Sequence, residues 1–317
     1  MAPKLLITRS MPETVVARAE TRFDVTWRDE PVPMTPPELR AALREHDAIL
    51  PTLGDLFRDD VFADVPAPRA KILANFGVGY NHIDVAAGKA VGVAVTNTPG
   101  AVTDATADIA LTLILMTARR AGEGERMLRR ADWTGWHPVQ MLGMHVTGKR
   151  LGVIGMGRIG QAIARRCHFG FGMKVVFQSR SPVADPGVPA RQVSFAEALA
   201  ADIVVIAVPG GAETRHLINA AALAQMQPHA LLINISRGDV VEEAALIAAL
   251  QAAQIAGAGL DVYEFEPKVS PALVAMENVT LLPHLGTAAL EVREAMGMMA
   301  VDNLFAHLDG RPLPNAV

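Results

Sequence analysis

Short apolar runs alternate with amphipathic stretches along the whole chain. In the first third, Lys4 to Thr8, Phe23 to Trp27, Ala48 to Leu50, Lys71 to Asn75 and Val93 to Thr96 read as strands, with helical patterns near Pro12 to Ala19, Pro37 to Leu43 and Ile83 to Ala90 between them. Repeated alternation of strands and helices means a parallel sheet covered on both faces. Thr98-Pro99-Gly100 breaks the pattern. Thr103 to Arg120, TDATADIALTLILMTARR, then predicts a long helix too apolar to lie on an open surface, and we read it as the crossover into a second domain, packed at a domain or subunit interface. After a polar, tryptophan-bearing stretch around Trp133 and Trp136, six more strands are expected: one from Leu151 into a glycine-rich turn, then Met173 to Gln178, Ile203 to Val208, Leu231 to Ile235, Gly257 to Val262 and Val279 to Leu282. A last apolar helix, Ala288 to Leu308, is expected to cross back to the first domain.

The second half is organised around Leu151 to Gly160, LGVIGMGRIG, in which the strand runs straight into Gly155-Met156-Gly157-Arg158-Ile159-Gly160. The first glycine makes the tight turn, the second lets a pyrophosphate approach the backbone, and the third lets the following helix, about Arg158 to Phe169, pack on the strand. Such a helix aims its free N–H groups and positive dipole end at phosphate. With a strand before, a helix after and a second strand at Met173 to Gln178, the motif sits in a βαβ unit, and a dinucleotide is the expected ligand. The expected fold class is therefore α/β, two Rossmann-like/flavodoxin-like parallel-sheet domains with a cleft between them. Residues 1–99 and 288–317 would form a discontinuous substrate-binding (catalytic) domain, and residues 100–287 the dinucleotide-binding domain.

About 20 residues past the glycines, where an acidic side chain would bind the adenosine ribose of NAD, the chain has Ser179-Arg180-Ser181. Ser179 removes a charge that would repel a 2′-phosphate, and Arg180 can pair with that phosphate. NADPH is the expected cofactor, with NAD the alternative. Val208 and Pro209, at the end of the Ile203 strand, and Ser236, which follows the Leu231 strand, belong to the same expected cofactor edge.

Three polar residues lie just beyond later strands, at the carboxyl-end crevice where open α/β sheets bind ligands: Arg237, Glu266 and His284. Arginine can hold a carboxylate and polarise an adjacent carbonyl, histidine can hand over a proton, and a carboxylate can orient a histidine and favour its imidazolium. Glu264 and Glu266 compete for the carboxylate role, and spacing does not separate them. His46, His82, His145, His168, His216, His229 and His307 read as surface or helix-end residues. In the first domain two loops follow strands: Pro51-Thr52-Leu53-Gly54, and Asn75 to Asn81, whose backbone N–H groups offer an anion cradle.

Composition narrows the class. The 317 residues are 50% hydrophobic and 20% charged, ample for two cores, and the net charge of -4 with only short basic clusters gives no nucleic-acid-binding surface. A single cysteine, Cys167, excludes a disulfide framework and a cysteine zinc site; no metal is expected, and a reducing cytoplasm fits. The first residues lack the apolar core of a signal peptide, and Ile109 to Ala118 falls short of the roughly 20 residues of a membrane span, so no membrane association is expected.

In order along the chain, ANFGVGYNHID, TADIAL, GVIGMGRIGQAIARR, INISRGDVV, AGLDVYEFEP and LLPHLGTA resemble the D-isomer-specific 2-hydroxyacid dehydrogenases, specifically the glyoxylate and hydroxypyruvate reductases. The resemblance implies that Arg237 binds substrate and polarises its carbonyl, that His284 is the acid/base, and that Glu266 rather than Glu264 is its partner. It also places the substrate carboxylate on backbone N–H groups of Val78 and Gly79, with Thr106, Ile235, Asp261 and Gly286 around the nicotinamide half. It implies a homodimer in which Trp136 from one subunit closes the pocket of the other; Leu53, Tyr80, Met141 and Trp136 suggest a small cavity. Other dehydrogenases of the same fold, acting on phosphoglycerate, phosphite, formate or longer 2-keto acids, are alternatives, and so is a nucleotide-sensing corepressor-like binding protein.

Overall fold

A computed structural model describes residues 2–317. The chain divides into two compact units, one running through Val102 and resuming at Ala288, the other spanning Thr103–Thr287.

The first unit is built on five parallel strands, β1 (Lys4–Ile7), β2 (Asp24–Trp27), β3 (Ala48–Leu50), β4 (Ile72–Ala74) and β5 (Ala94–Thr96), in the order β2-β1-β3-β4-β5. Alternation along each strand splits its apolar residues between two cores. Leu5 and Ile7 join Val15, Val16 and Ala19 of the Glu13–Glu20 helix and Ala300, Val301 and Leu304 of the Leu290–Leu308 helix on one face. Leu6 joins Leu39 and Leu43 of the Pro36–Glu45 helix, with Phe57 and Phe62, on the other. That helix starts at a capping box, Thr35 with Glu38, and has proline in its first turn. The final residues return to the sheet edge: Thr96 pairs antiparallel with Ala316, Asn97 N–H donates to Asn315 O at 3.1 Å and Val317 N–H to Val95 O at 3.1 Å.

The second unit holds seven parallel strands, β6 (Arg150–Ile154), β7 (Lys174–Gln178), β8 (Ala190–Gln192), β9 (Ile203–Ile206), β10 (Leu231–Asn234), β11 (Gly257–Leu260) and β12 (Val279–Leu281), ordered β12-β11-β10-β9-β6-β7-β8. One more strand is present than the six expected. β8 is a three-residue edge strand, Ala-Arg-Gln, with no buried position, so it carries no hydrophobic signal. The order reverses between β6 and β9, and that switch point is where a parallel α/β sheet opens a crevice for ligand.

The apolar helix ends at Ala118 rather than Arg120, because Arg120 turns left-handed (φ 52°). It packs within its own unit, with Leu113 and Ile114 in one core with Ile233 and Val205 and Thr117 Oγ1 2.9 Å from Thr280 Oγ1. An unexpected helix, Ala121–Arg129, follows and buries no residue. Among the described residues no helix is long and apolar enough to cross a membrane.

Candidate active site

Most of the chemically pointed residues of the second unit lie just past the carboxyl end of a strand. Because the strands are parallel and adjacent, these ends form one row: His284 beyond β12, Asp261 and Glu266 beyond β11, Arg237 beyond β10, Val208 beyond β9, Gly155 beyond β6 and Ser179 beyond β7.

The glycine loop has the shape its sequence demands. Gly155 has φ 99°, and a Cβ there would lie 2.7 Å from Ala207 O; a Cβ on Gly160 would lie 2.1 Å from Gly155 O. A Cβ on Gly157 would meet nothing within 4 Å. The backbone is thus closed against protein at the first and third glycines and open at the second. The Arg158–Phe171 helix begins at Gly157 without a side-chain cap, leaving its first N–H groups for a ligand. These features fit a dinucleotide pyrophosphate. Met156 is buried in the core and Ile159 packs against it, so only their backbone faces the loop, whereas Arg158 is exposed. Ser179 and Ser181 carbonyls accept from Gln192 Nε2 at 3.1 and 3.2 Å, which fixes the turn after β7. Arg180 Nη1 lies 2.6 Å from Glu213 Oε2, both side chains largely in solvent. Val208 is half-buried beside Gly155, and Pro209 is exposed.

His284 and Glu266 meet directly. The imidazole Nδ1 is 2.9 Å from Glu266 Oε2, with the two side chains 34% and 31% exposed, enough cover to strengthen the pair and enough opening to admit a substrate. Glu266 Oε1 accepts from Tyr263 N–H at 3.0 Å. Burial alone would raise the Glu266 pKa, but the hydrogen bond and charge of His284, the Tyr263 N–H and the Arg237 charge together hold it below the ordinary carboxylate value. Glu264 takes a different partner, His216, at 2.7 Å from Nε2, and bonds reciprocally with Glu243 through backbone N–H groups. The two carboxylates that spacing could not separate therefore face two different histidines.

His284 is left-handed (φ 53°), a conformation that costs a non-glycine residue about 1–2 kcal/mol unless its surroundings impose it. Asp261 imposes it. Its carbonyl accepts from His284 N–H at 3.0 Å, and its carboxylate accepts from Leu285 N–H at 2.6 Å and Gly286 N–H at 2.8 Å. Burial raises the Asp261 pKa, opposed by the Leu285 N–H, the His284 charge and the Gly286 N–H. Thr106 Oγ1 donates to Gly286 O at 3.2 Å, tying the apolar helix to the same turn.

Arg237 is seated by Asn234, whose Oδ1 accepts from Ser236 N–H at 3.0 Å and whose Nδ2 donates to Arg237 O at 2.9 Å; Ile235 and Ser236 are buried between them. Its Nη1 donates to Ser236 O at 2.7 Å. Burial lowers the Arg237 pKa, opposed by Glu266 and Asp239, and the guanidinium stays cationic over any working pH. Asn234 and Tyr263 escaped the sequence reading. Tyr263 Oη donates to Leu282 O at 2.8 Å and so joins the Glu266 segment to the His284 segment. His82, expected at a surface, is buried, and His216 is committed to Glu264.

In the first unit, Leu53 is half-exposed on a loop braced by buried Asp55, which accepts from Thr52 N–H at 2.9 Å and Thr8 Oγ1 at 2.6 Å. Val78 and Gly79 sit partly exposed on the loop after β4. Trp136 lies in the second unit and is 78% exposed. Among the described residues no group of three metal-ligating side chains converges.

A glycine-looped parallel sheet with Arg, Glu and His on neighbouring strand ends defines an NAD(P)-dependent oxidoreductase. Residues 111–286 match the family model of the D-isomer specific 2-hydroxyacid dehydrogenase NAD binding domain, and the chain belongs to that family. It is 42% identical to the glyoxylate reductase of Thermococcus litoralis, over 100% of this chain and 97% of that protein, and 35% identical to the glycerate dehydrogenase of Hyphomicrobium methylovorum, over 99% and 98%. The crystal structure of the NADPH-dependent glyoxylate/hydroxypyruvate reductase of Sinorhizobium meliloti with NADP and malonate superposes with a TM-score of 0.89 at 34% identity, covering 100% of this chain and 97% of that one.

Proposed function

We propose that this protein reduces small 2-keto acids, glyoxylate and hydroxypyruvate, to their 2-hydroxy acids with NADPH. The observation that carries the reading is the His284–Glu266 pair at 2.9 Å on the strand ends next to Arg237. Relatives named glyoxylate reductase and glycerate dehydrogenase, and a neighbour holding NADP with the dicarboxylate malonate, support the choice of substrate class.

When bound, the reduced nicotinamide supplies a hydride. The row of strand ends would hold it, with the pyrophosphate against Gly155–Gly160, the adenosine end at Ser179–Ser181, and Val208, Pro209, Thr106, Ile235, Ser236, Asp261 and Gly286 along the rest. With Nδ1 committed to Glu266, His284 presents Nε2 and its proton to the developing alkoxide. Arg237 stabilises the oxygen's growing charge. Val78 and Gly79 hold the substrate carboxylate through their N–H groups, and Leu53 contributes an apolar wall. In a homodimer, Trp136 of one copy closes the pocket of the other.

The NADPH preference is supported by the missing carboxylate at Ser179 and by Arg180. Its exposed pair with Glu213 is worth about 0–1 kcal/mol, so a 2′-phosphate dianion can replace the carboxylate as partner. Steady-state kinetics with glyoxylate, hydroxypyruvate, pyruvate and longer 2-keto acids test the proposal. We expect NADPH to exceed NADH in kcat/KM, Arg180→Ala to erase most of that ratio, and His284→Ala to lower kcat by roughly 10²–10⁴-fold. A clear NADH preference would remove the cofactor assignment, and wild-type turnover by His284→Ala would remove the acid assignment.

A further inference from the structure

The loop after β4 has an unusual division of labour between its carbonyl and amide groups. Gly77 O accepts from Asn75 Nδ2 at 3.0 Å and from Thr98 N–H at 3.1 Å. Val78 O accepts from Asn97 Nδ2 at 2.9 Å, and Gly79 O from Asn75 Nδ2 at 3.1 Å. Three successive carbonyl oxygens are thus anchored by protein donors. In a planar trans peptide the carbonyl of one residue and the N–H of the next point in opposite directions. Anchoring these three oxygens therefore turns the N–H groups of Val78, Gly79 and Tyr80 away from their anchors, and among the described residues those three N–H groups meet no acceptor.

The Asn75 amide has only one sensible orientation, because the reverse would set Oδ1 against two carbonyl oxygens. In the orientation present, Oδ1 is buried without a partner. The fold thus tolerates an unsatisfied acceptor at a fully buried position in order to keep both Nδ2 bonds to the loop. Asn97 is placed from behind by its own N–H on Asn315 O, and Asn315 is locked in turn to Asn303 at 3.0 and 3.1 Å.

We propose that Asn75 and Asn97 are positioning residues that aim the Val78, Gly79 and Tyr80 amides as a three-donor carboxylate cradle, and that this aim sets the preference for 2-keto acids over neutral carbonyl compounds. The proposal rests on the reading that the substrate carboxylate sits on this loop. Backbone N–H donors aimed at a carboxylate recognise it by charge-assisted hydrogen bonds without an added cation, so a substrate lacking that group gains nothing from them.

The test uses Asn97→Ala and the near-isosteric Asn97→Asp, which sets an oxygen against Val78 O. Loss of aim should raise KM for glyoxylate and Ki for oxalate together by roughly 10- to 100-fold, the usual effect of an ångström of misplacement. KM for NADPH, and turnover of glycolaldehyde, which lacks the carboxylate, should hold at wild-type values. Equal losses on glyoxylate and glycolaldehyde, or an unchanged oxalate Ki in a folded variant, would overturn the positioning role. Amide exchange on the wild-type protein separates the two layers of inference, since oxalate should protect residues 78–80. Absent protection removes the carboxylate site and the proposal with it, whereas protection combined with an unaltered Ki in both variants removes only the asparagines' part.

Discussion

Gly157 and Gly160 look equivalent in the sequence motif, and the structure separates them. A methyl group added at Gly160 would land 2.1 Å from Gly155 O, 3.1 Å from its carbon and 3.2 Å from Val153 Cγ1. Restoring an ordinary contact of 3.4 Å requires the Arg158–Phe171 helix to retreat by about 1.3 Å, and that helix buries Ala162, Ile163, Ala164 and Cys167. Overpacking of this kind costs about 1–3 kcal/mol, and the backbone clash puts Gly160→Ala at the upper end. For a unit of this size that is a fall in Tm of about 6–12 °C. At Gly157 the same methyl meets nothing within 4 Å, and the backbone, φ -79° and ψ -166°, suits alanine. The apo protein should therefore lose at most about 1 kcal/mol, the cost of a poorer N-cap. The methyl would instead occupy the path of the pyrophosphate. Losing one charge-assisted bond of about 1.5–3 kcal/mol weakens dinucleotide binding roughly 10- to 100-fold. Thermal unfolding of the two apo variants, followed by NADPH titration monitored by nicotinamide fluorescence, reads both quantities. Wild-type affinity in Gly157→Ala, or an unchanged Tm in Gly160→Ala, would refute the division of roles.

Two further outcomes follow from burial and charge. The Glu266 carboxyl has a folded pKa below its ordinary 4.5, so its contribution to stability is complete above that value and fades as pH falls toward the lower folded one. Tm measured from pH 6 to pH 3 should therefore fall more steeply in wild type than in Glu266→Gln, and parallel curves would contradict the pairing. Cys167 is buried on the helix behind the glycine loop, and burial pushes its thiol up to about 12. Mass spectrometry should show no iodoacetamide adduct on the native protein at pH 8 and full modification in denaturant; rapid native labelling would show that the helix does not pack as described.

What was legible in the sequence was what depends on period and punctuation. Apolar strands such as Ile203–Ile206 and Leu231–Asn234 announce themselves because both faces are buried, and Gly155 and Gly160 stand where a turn and a helix contact need room, with Gly157 open between them. Strand ends then placed Arg237, Glu266 and His284 on one edge. β8 was invisible because an edge strand of Ala-Arg-Gln buries nothing, and the Ala121–Arg129 helix because it too has no buried face. The choice between Glu264 and Glu266 was beyond spacing, since it depends on which histidine the chain brings to each from 48 and 18 residues away. Asn75, Asn97, Asn234 and Tyr263 carry no motif signal; their roles lie in hydrogen bonds to backbone groups that only the folded chain brings near.

The first unit is interrupted by the whole of the second, and this has a bearing on synthesis. Its sheet stays only partly covered, by the Glu13–Glu20 helix, on the face that receives Ala300, Val301 and Leu304 until the Leu290–Leu308 helix has left the ribosome. The second unit, continuous from Thr103 to Thr287, can close its core first. Nascent chains stalled before residue 290 should thus carry a protease-resistant dinucleotide-binding unit tethered to a sensitive N-terminal segment. Asn97, fastened through Asn315, reaches its final place only after Asn315 has been made, so the loop it steadies matures later than the strands around it.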